Sequence, residues 1–164
     1  MYDELSGVIE YLKSIADKVG IEYFWPSALS PSTPPAAKPS KKRIVMNPNW
    51  HNEREIPFQF AHEIAHILND DDTTWVYYYQ GVHNGVSKLE YETNRQAVRI
   101  VLSYFDQDTI EYNPVRFMQA FAIPSHLSNV VNEELGAYCA GTQKNWTSVI
   151  LCNSYSPNAD DVKS

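Results

Sequence analysis

A chain of 164 residues, 43 % of them apolar and 13 % aromatic, is long enough to bury one hydrophobic core and too short for two ordinary domains. Its formal charge of -7 disfavours a direct nucleic-acid partner, which needs a basic face, and no run approaches the roughly 20 apolar residues that span a bilayer. "MYDELSGVIEYLK" begins acidic, without a basic start or an apolar leader, so the expectation is a soluble protein retained in the cytoplasm that meets no membrane.

In chain order, Leu5, Val8, Ile9, Leu12, Ile15 and Val19 recur at helical spacing, which predicts an amphipathic helix over 3–19 closed by Gly20. "IEYFW" at 21–25 is β-prone. "PSALSPSTPPAAKPSKK" at 26–42 carries five prolines and reads as an irregular surface loop. The cluster of Lys38, Lys41, Lys42 and Arg43 is then a solvated approach to the strand "RIVMN" at 43–47. Pro57 suits a first helical turn and sets a helix over about 57–69. "TWVYYYQG", dense in aromatic residues and ended by Gly81, is a strand or hairpin arm.

Ser87-Lys88-Leu89-Glu90 has the form of a capping box and opens a helix that continues to about Phe105. Asn113 and Pro114 start a third helix through Phe121. Pro124 starts a fourth that ends near Leu135, with Gly136 behind it. Beyond 136 the pattern fades, which divides the chain into a single domain at 1–136 and a partly irregular C-terminal extension at 137–164. The two cysteines, Cys139 and Cys152, match no metal-site spacing and are expected as free thiols.

Chemistry concentrates in "FAHEIAHILN" at 60–69. On a helix, His62 and His66 lie one turn apart on one face, and Glu63 sits about 100° round from His62. Phe60, Ala61, Ile64, Ala65, Ile67 and Leu68 cover most of the circumference, leaving Gln59, His62, Glu63, His66 and Asn69 as a narrow polar strip. A solvated strip would carry lysines and glutamates. Histidines on a largely apolar helix point instead to a metal, and zinc suits two neutral imidazoles with a carboxylate placed to take a proton from a metal-bound water.

A third ligand is required. Asp72 lies ten positions after His62, in an acidic turn, "NDDDTT". Glu90 and Glu92 sit on the next long helix, about 200° apart, so only one of them can face the metal. Glu90 has a local explanation as the capping-box glutamate, which favours Glu92. His83 and Tyr77, Tyr78 or Tyr79 are candidate transition-state donors, and Asp70 or Asp71 could orient the histidines. His51 and His126 read as surface or helix-end residues.

Three stretches resemble the ImmA/IrrE family of metallopeptidases, in particular its short phage and mobile-element members. "RIVMNPNWHNEREIPFQFAHEIAHIL" resembles the family's strand, linker and HExxH helix; "LEYETNRQAVRIVL" resembles its second motif; "FMQAFAIPSHLSNVV" resembles the helical segment that follows. Thr93 stands where family members often have alanine.

The resemblance implies an α+β fold, with a small β-sheet packed against a zincin-like HExxH helix, a second ligand-bearing helix and C-terminal helices. It makes His62, His66 and Glu92 the zinc ligands and Glu63 the general base, with His83 or Tyr78 as possible transition-state donors. It further implies an endopeptidase that inactivates a phage or mobile-element repressor by cleavage. The alternative is a zinc-stabilised antirepressor that sequesters the repressor without proteolysis. A DNA-binding regulator fits poorly with the acidic balance.

Overall fold

The first helix, α1 (Tyr2–Lys18), stops where the sequence places its terminator. Gly20 adopts φ +72°, and two backbone bonds close the end, from Ile21 N–H to the Ala16 carbonyl at 2.9 Å and from Gly20 N–H to Asp17 at 3.2 Å. A side chain at this left-handed position would be strained, so glycine ends the helix cheaply. These details come from a computed structural model that describes residues 2–69, 76–77 and 88–142.

Three short strands follow, β1 (Glu22–Phe24), β2 (Ala36–Lys38) and β3 (Arg43–Val45), and with β4 (Val76–Tyr77) they form a four-stranded sheet in the order β1-β3-β2-β4. β1 runs parallel to β3, placing Tyr23 beside Ile44. β2 runs antiparallel to both its neighbours, so Ala37 lies opposite Ile44 on one side and Val76 on the other.

The β2 strand corrects the expectation of a surface loop throughout 26–42. Pro35, Ala36, Ala37 and Pro39 are buried. Alanine and lysine have little strand preference of their own, and the strand exists because tertiary pairing on both edges satisfies its backbone. A single 3-10 turn, Pro39–Lys41, then leads into β3.

The first half of that loop is irregular as expected, and two asparagines hold it. Asn47 Nδ2 donates to the carbonyls of Ser30 at 2.7 Å and Thr33 at 2.8 Å, while its Oδ1 accepts from Asn49 N–H at 2.9 Å. Asn49 Nδ2 reaches the carbonyls of Ser27 and Leu29 at 2.7 and 3.0 Å. A proline-rich segment has few N–H groups to pair its own carbonyls, and the asparagine side chains supply the missing donors.

The central helix, α2 (Ile56–Leu68), has Pro57 in its first turn and is buried along twelve of its thirteen residues. Its polar strip therefore faces the protein interior. One side meets the sheet, where Phe60 packs edge-on against Tyr23 and Trp25 at ring-centroid distances of 5.7 and 5.5 Å. Another side meets α3 (Lys88–Leu102), whose Ala97, Val98 and Val101 are fully buried, and α1 also packs on α2 through the same core.

Asn113 caps α4 (Pro114–Ala120), its side chain accepting from Arg116 N–H at 3.0 Å. Pro124 leads into a 3-10 turn, Ser125–Leu127, and then α5 (Ser128–Cys139). Gly136 lies inside α5 and does not end it. The end comes at Gly141, with φ +67° and bonds from Thr142 N–H to the Ala137 carbonyl and from Gly141 N–H to Tyr138. Local sequence placed the stop one glycine too early because both glycines follow apolar residues, and only the second reaches the left-handed conformation. The fold is α+β, and no helix among the described residues is long and apolar enough to cross a membrane.

Candidate metal centre

The polar strip of α2 puts three ionisable groups inside the protein. His62, Glu63 and His66 are all buried, and the Nε2 atoms of the two histidines lie 2.9 Å apart, with their rings nearly perpendicular at 85°. Helical spacing produces this arrangement, since residues four apart stack on one face.

A carboxylate from α3 completes the group. Glu90 Oε2 lies 3.6 Å from His62 Nε2 and its Oε1 3.4 Å from His66 Nε2. His62, His66 and Glu90 form a group whose ligand atoms all lie within 4.8 Å of one another, a cluster that could hold a metal ion.

The expectation that Glu92 supplies this carboxylate is corrected here: Glu92 is exposed. The physical reason is the packed stripe of α3. Thr93, Asn94, Ala97 and Val101 are buried, and Glu90 lies three and four residues before the first two, on the same face. Glu92 lies about 200° away from Glu90. The capping-box reading assigned Glu90 to the helix start, whereas its carboxylate turns to the histidine pair.

The electrostatics suit a cation. Burial, followed by the neighbouring His66, lowers the His62 pKa from 6.5 to about 3, against a hydrogen bond with Asn94 that opposes the shift. A neutral imidazole keeps a lone pair to donate. Glu63 is 0 % exposed, and among the described residues neither of its carboxyl oxygens makes a hydrogen bond of ordinary geometry. Its pKa is raised well above 4.5, first by burial and then by the Glu90 charge, with the Ala37 backbone amide opposing the rise.

Unsatisfied buried oxygens are costly. The neutral His62, the Glu90 carboxylate and the buried Glu63 carboxyl group offer lone pairs at one place, which a divalent cation would fill. Ligand bonds of about 2.0–2.2 Å in a tetrahedral site require donor atoms roughly 3.3–3.6 Å apart; the two separations to Glu90, 3.4 and 3.6 Å, match, and the histidine pair at 2.9 Å is closer by a few tenths of an ångström.

Two polar residues of the centre escaped sequence reasoning. Thr93 and Asn94 are buried at the α2–α3 contact; Asn94 is the partner that opposes the His62 shift, and Thr93 Oγ1 accepts from Asn69 Nδ2 at 3.3 Å. The stripe spacing of α3 would have picked them out together with Glu90. The orienting candidates Asp70 and Asp71, the ligand candidate Asp72 and the donor candidates His83, Tyr78 and Tyr79 lie outside the described residues, and Tyr77 is described only as backbone of β4. His51 and His126 are exposed.

A family model described as Peptidase_M78: IrrE N-terminal-like domain matches residues 16–135, a span that contains all four residues of the centre. No curated protein and no solved structure is significantly similar to the chain.

Proposed function

The chain belongs to the Peptidase_M78 family of IrrE N-terminal-like domains, and from that premise we propose that it is a zinc-dependent endopeptidase that inactivates a phage or mobile-element repressor by cleaving it. His62, His66 and Glu90 hold the zinc, a His2Glu set known from catalytic sites. The observation that carries the reading is Glu63, a wholly buried carboxyl group whose oxygens make no hydrogen bond of ordinary geometry among the described residues, next in sequence to one ligand and close enough to another to feel its charge. A purely structural metal site gains nothing from such a group.

Bound at this centre, the cation supplies Lewis acidity that polarises a scissile carbonyl and makes water a better nucleophile at neutral pH. Glu63 takes the proton that the attacking water loses and returns it to the leaving amine as the C–N bond breaks. His62, held neutral at neutral pH by burial and the neighbouring His66, keeps a lone pair for the metal. The repressor as substrate follows from the family resemblance alone.

The test incubates the purified repressor of the same mobile element with zinc-loaded wild type and with Glu63→Gln. Intact repressor is scored by mass spectrometry and its DNA binding in parallel. Fragments with wild type alone support the peptidase. Loss of DNA binding by intact repressor with both proteins overturns it in favour of a sequestering antirepressor.

A further inference from the structure

Glu90 enters the centre from α3, so the rotation of α3 about its own axis decides whether the cluster is complete. A carboxylate about 6 Å from a helix axis moves by roughly 2 Å when the helix turns by 20°. Metal–ligand distances tolerate only about 0.2 Å. Something must fix that rotation, and the apolar stripe that α3 shares with α2 can slide more easily than a directed hydrogen bond can bend.

Toward α2 the directed contact is the long Asn69–Thr93 hydrogen bond at 3.3 Å, and the short, charged contacts lie on another face of α3, toward α5. Tyr91, Arg95 and Arg99 follow one another at four-residue spacing. Glu134 of α5, 2 % exposed, accepts from Arg95 Nη1 at 2.6 Å and from Arg99 Nε and Nη2 at 2.7 and 2.9 Å. The Arg99 pair is bidentate, the geometry that constrains orientation most tightly. Arg95 goes on to Glu133 at 2.7 Å and to the Tyr91 hydroxyl at 2.6 Å, and its guanidinium lies over the Tyr91 ring at 5.1 Å. The chain of contacts thus begins at a buried carboxylate on α5 and ends at the residue next to Glu90.

An apolar side chain at 134 would pack α3 against α5 at no cost in burying charge. A buried carboxylate with two arginines instead specifies one orientation of the helices. We infer that Glu134 is a positioning residue for the metal centre, acting through Arg95, Arg99 and Tyr91 to hold α3 at the rotation that presents Glu90 to His62 and His66. This rests on the zinc reading above.

The test measures zinc affinity by competition with a chromophoric chelator, and the visible absorption of the cobalt-substituted protein, for wild type, Glu134→Gln, Tyr91→Phe and the exposed control Glu111→Gln. Glu134→Gln is expected to bind zinc about tenfold more weakly and to show a changed cobalt spectrum. Tyr91→Phe, exposed and unable to disturb the core, loses about threefold, less than Glu134→Gln because it removes a single hydrogen bond at the end of the chain of contacts. Glu111→Gln matches wild type. A merely structural role would lower the melting temperature and leave affinity and spectrum untouched, which would overturn the inference. If Glu134→Gln fails to fold, an unchanged Tyr91→Phe overturns it by itself. A wild type that binds neither zinc nor cobalt would overturn the zinc reading, a result distinct from metal binding that the variants leave unchanged.

Discussion

Glu63→Gln should reveal in the metal-free protein what the buried carboxyl group costs. Burial and the Glu90 charge raise the Glu63 pKa well above 4.5, so the folded protein keeps a proton that the unfolded chain releases. A group raised in the folded state contributes stability that is fully present below its unfolded value and lost as pH rises. The loss is about 1.4 kcal/mol per pH unit while the proton is retained, with an upper limit of about 3 kcal/mol at pH 7.

His62 works in the opposite direction: lowered from 6.5 to about 3, it contributes stability that is lost as pH falls below 6.5. Both proteins carry His62, so its contribution cancels in the difference between them. Urea denaturation of chelator-treated wild type and Glu63→Gln at pH 5, 6 and 7 measures that difference. The variant should gain on wild type as pH rises from 5 to 7, by at most about 1.4 kcal/mol per pH unit. Parallel stability profiles would refute the reasoning.

Zinc at about a hundred times its dissociation constant should stabilise wild type by about 3 kcal/mol, read as a rise in melting temperature, and should leave His66→Ala unmoved. Asn47→Ala removes one hydrogen bond from each of the Ser30 and Thr33 carbonyls and one from Asn49 N–H, at a cost of about 2–4 kcal/mol by denaturant titration, and limited proteolysis should then cut faster within 27–35. Gly141→Ala forces a side chain into the left-handed region and should destabilise by about 1 kcal/mol. Gly136→Ala, helical and with its new methyl at an ordinary 3.5 Å from the Tyr112 ring, should stabilise by about 0.5–1 kcal/mol in the same titration.

The α2 helix was legible because its signals agree. Pro57 marks the start, apolar residues cover most of the circumference, and the four-residue spacing of His62 and His66 survives into the structure as a 2.9 Å approach. Gly20 was legible for a related reason, since the apolar periodicity of α1 runs out just where the glycine stands. β2 was hidden: Ala36, Ala37 and Lys38 have no strand signature, and their conformation is imposed by partners distant in sequence. Glu90 and Glu92 were harder still. Local capping chemistry spoke for Glu92 as the inward residue, while the choice depends on which face of α3 packs on α2, a tertiary fact carried by Thr93, Asn94 and Ala97.

The account stands on a centre built from His62, His66 and Glu90 with Glu63 beside it. Zinc affinity of Glu90→Ala and Glu92→Ala, measured against wild type by chelator competition, tests that most directly. Loss of a ligand should weaken binding at least a hundredfold for Glu90→Ala, above the 10–100-fold range of groups that only orient ligands, and leave Glu92→Ala at the wild-type value. The reverse pattern, or equal binding by all three proteins, would contradict it.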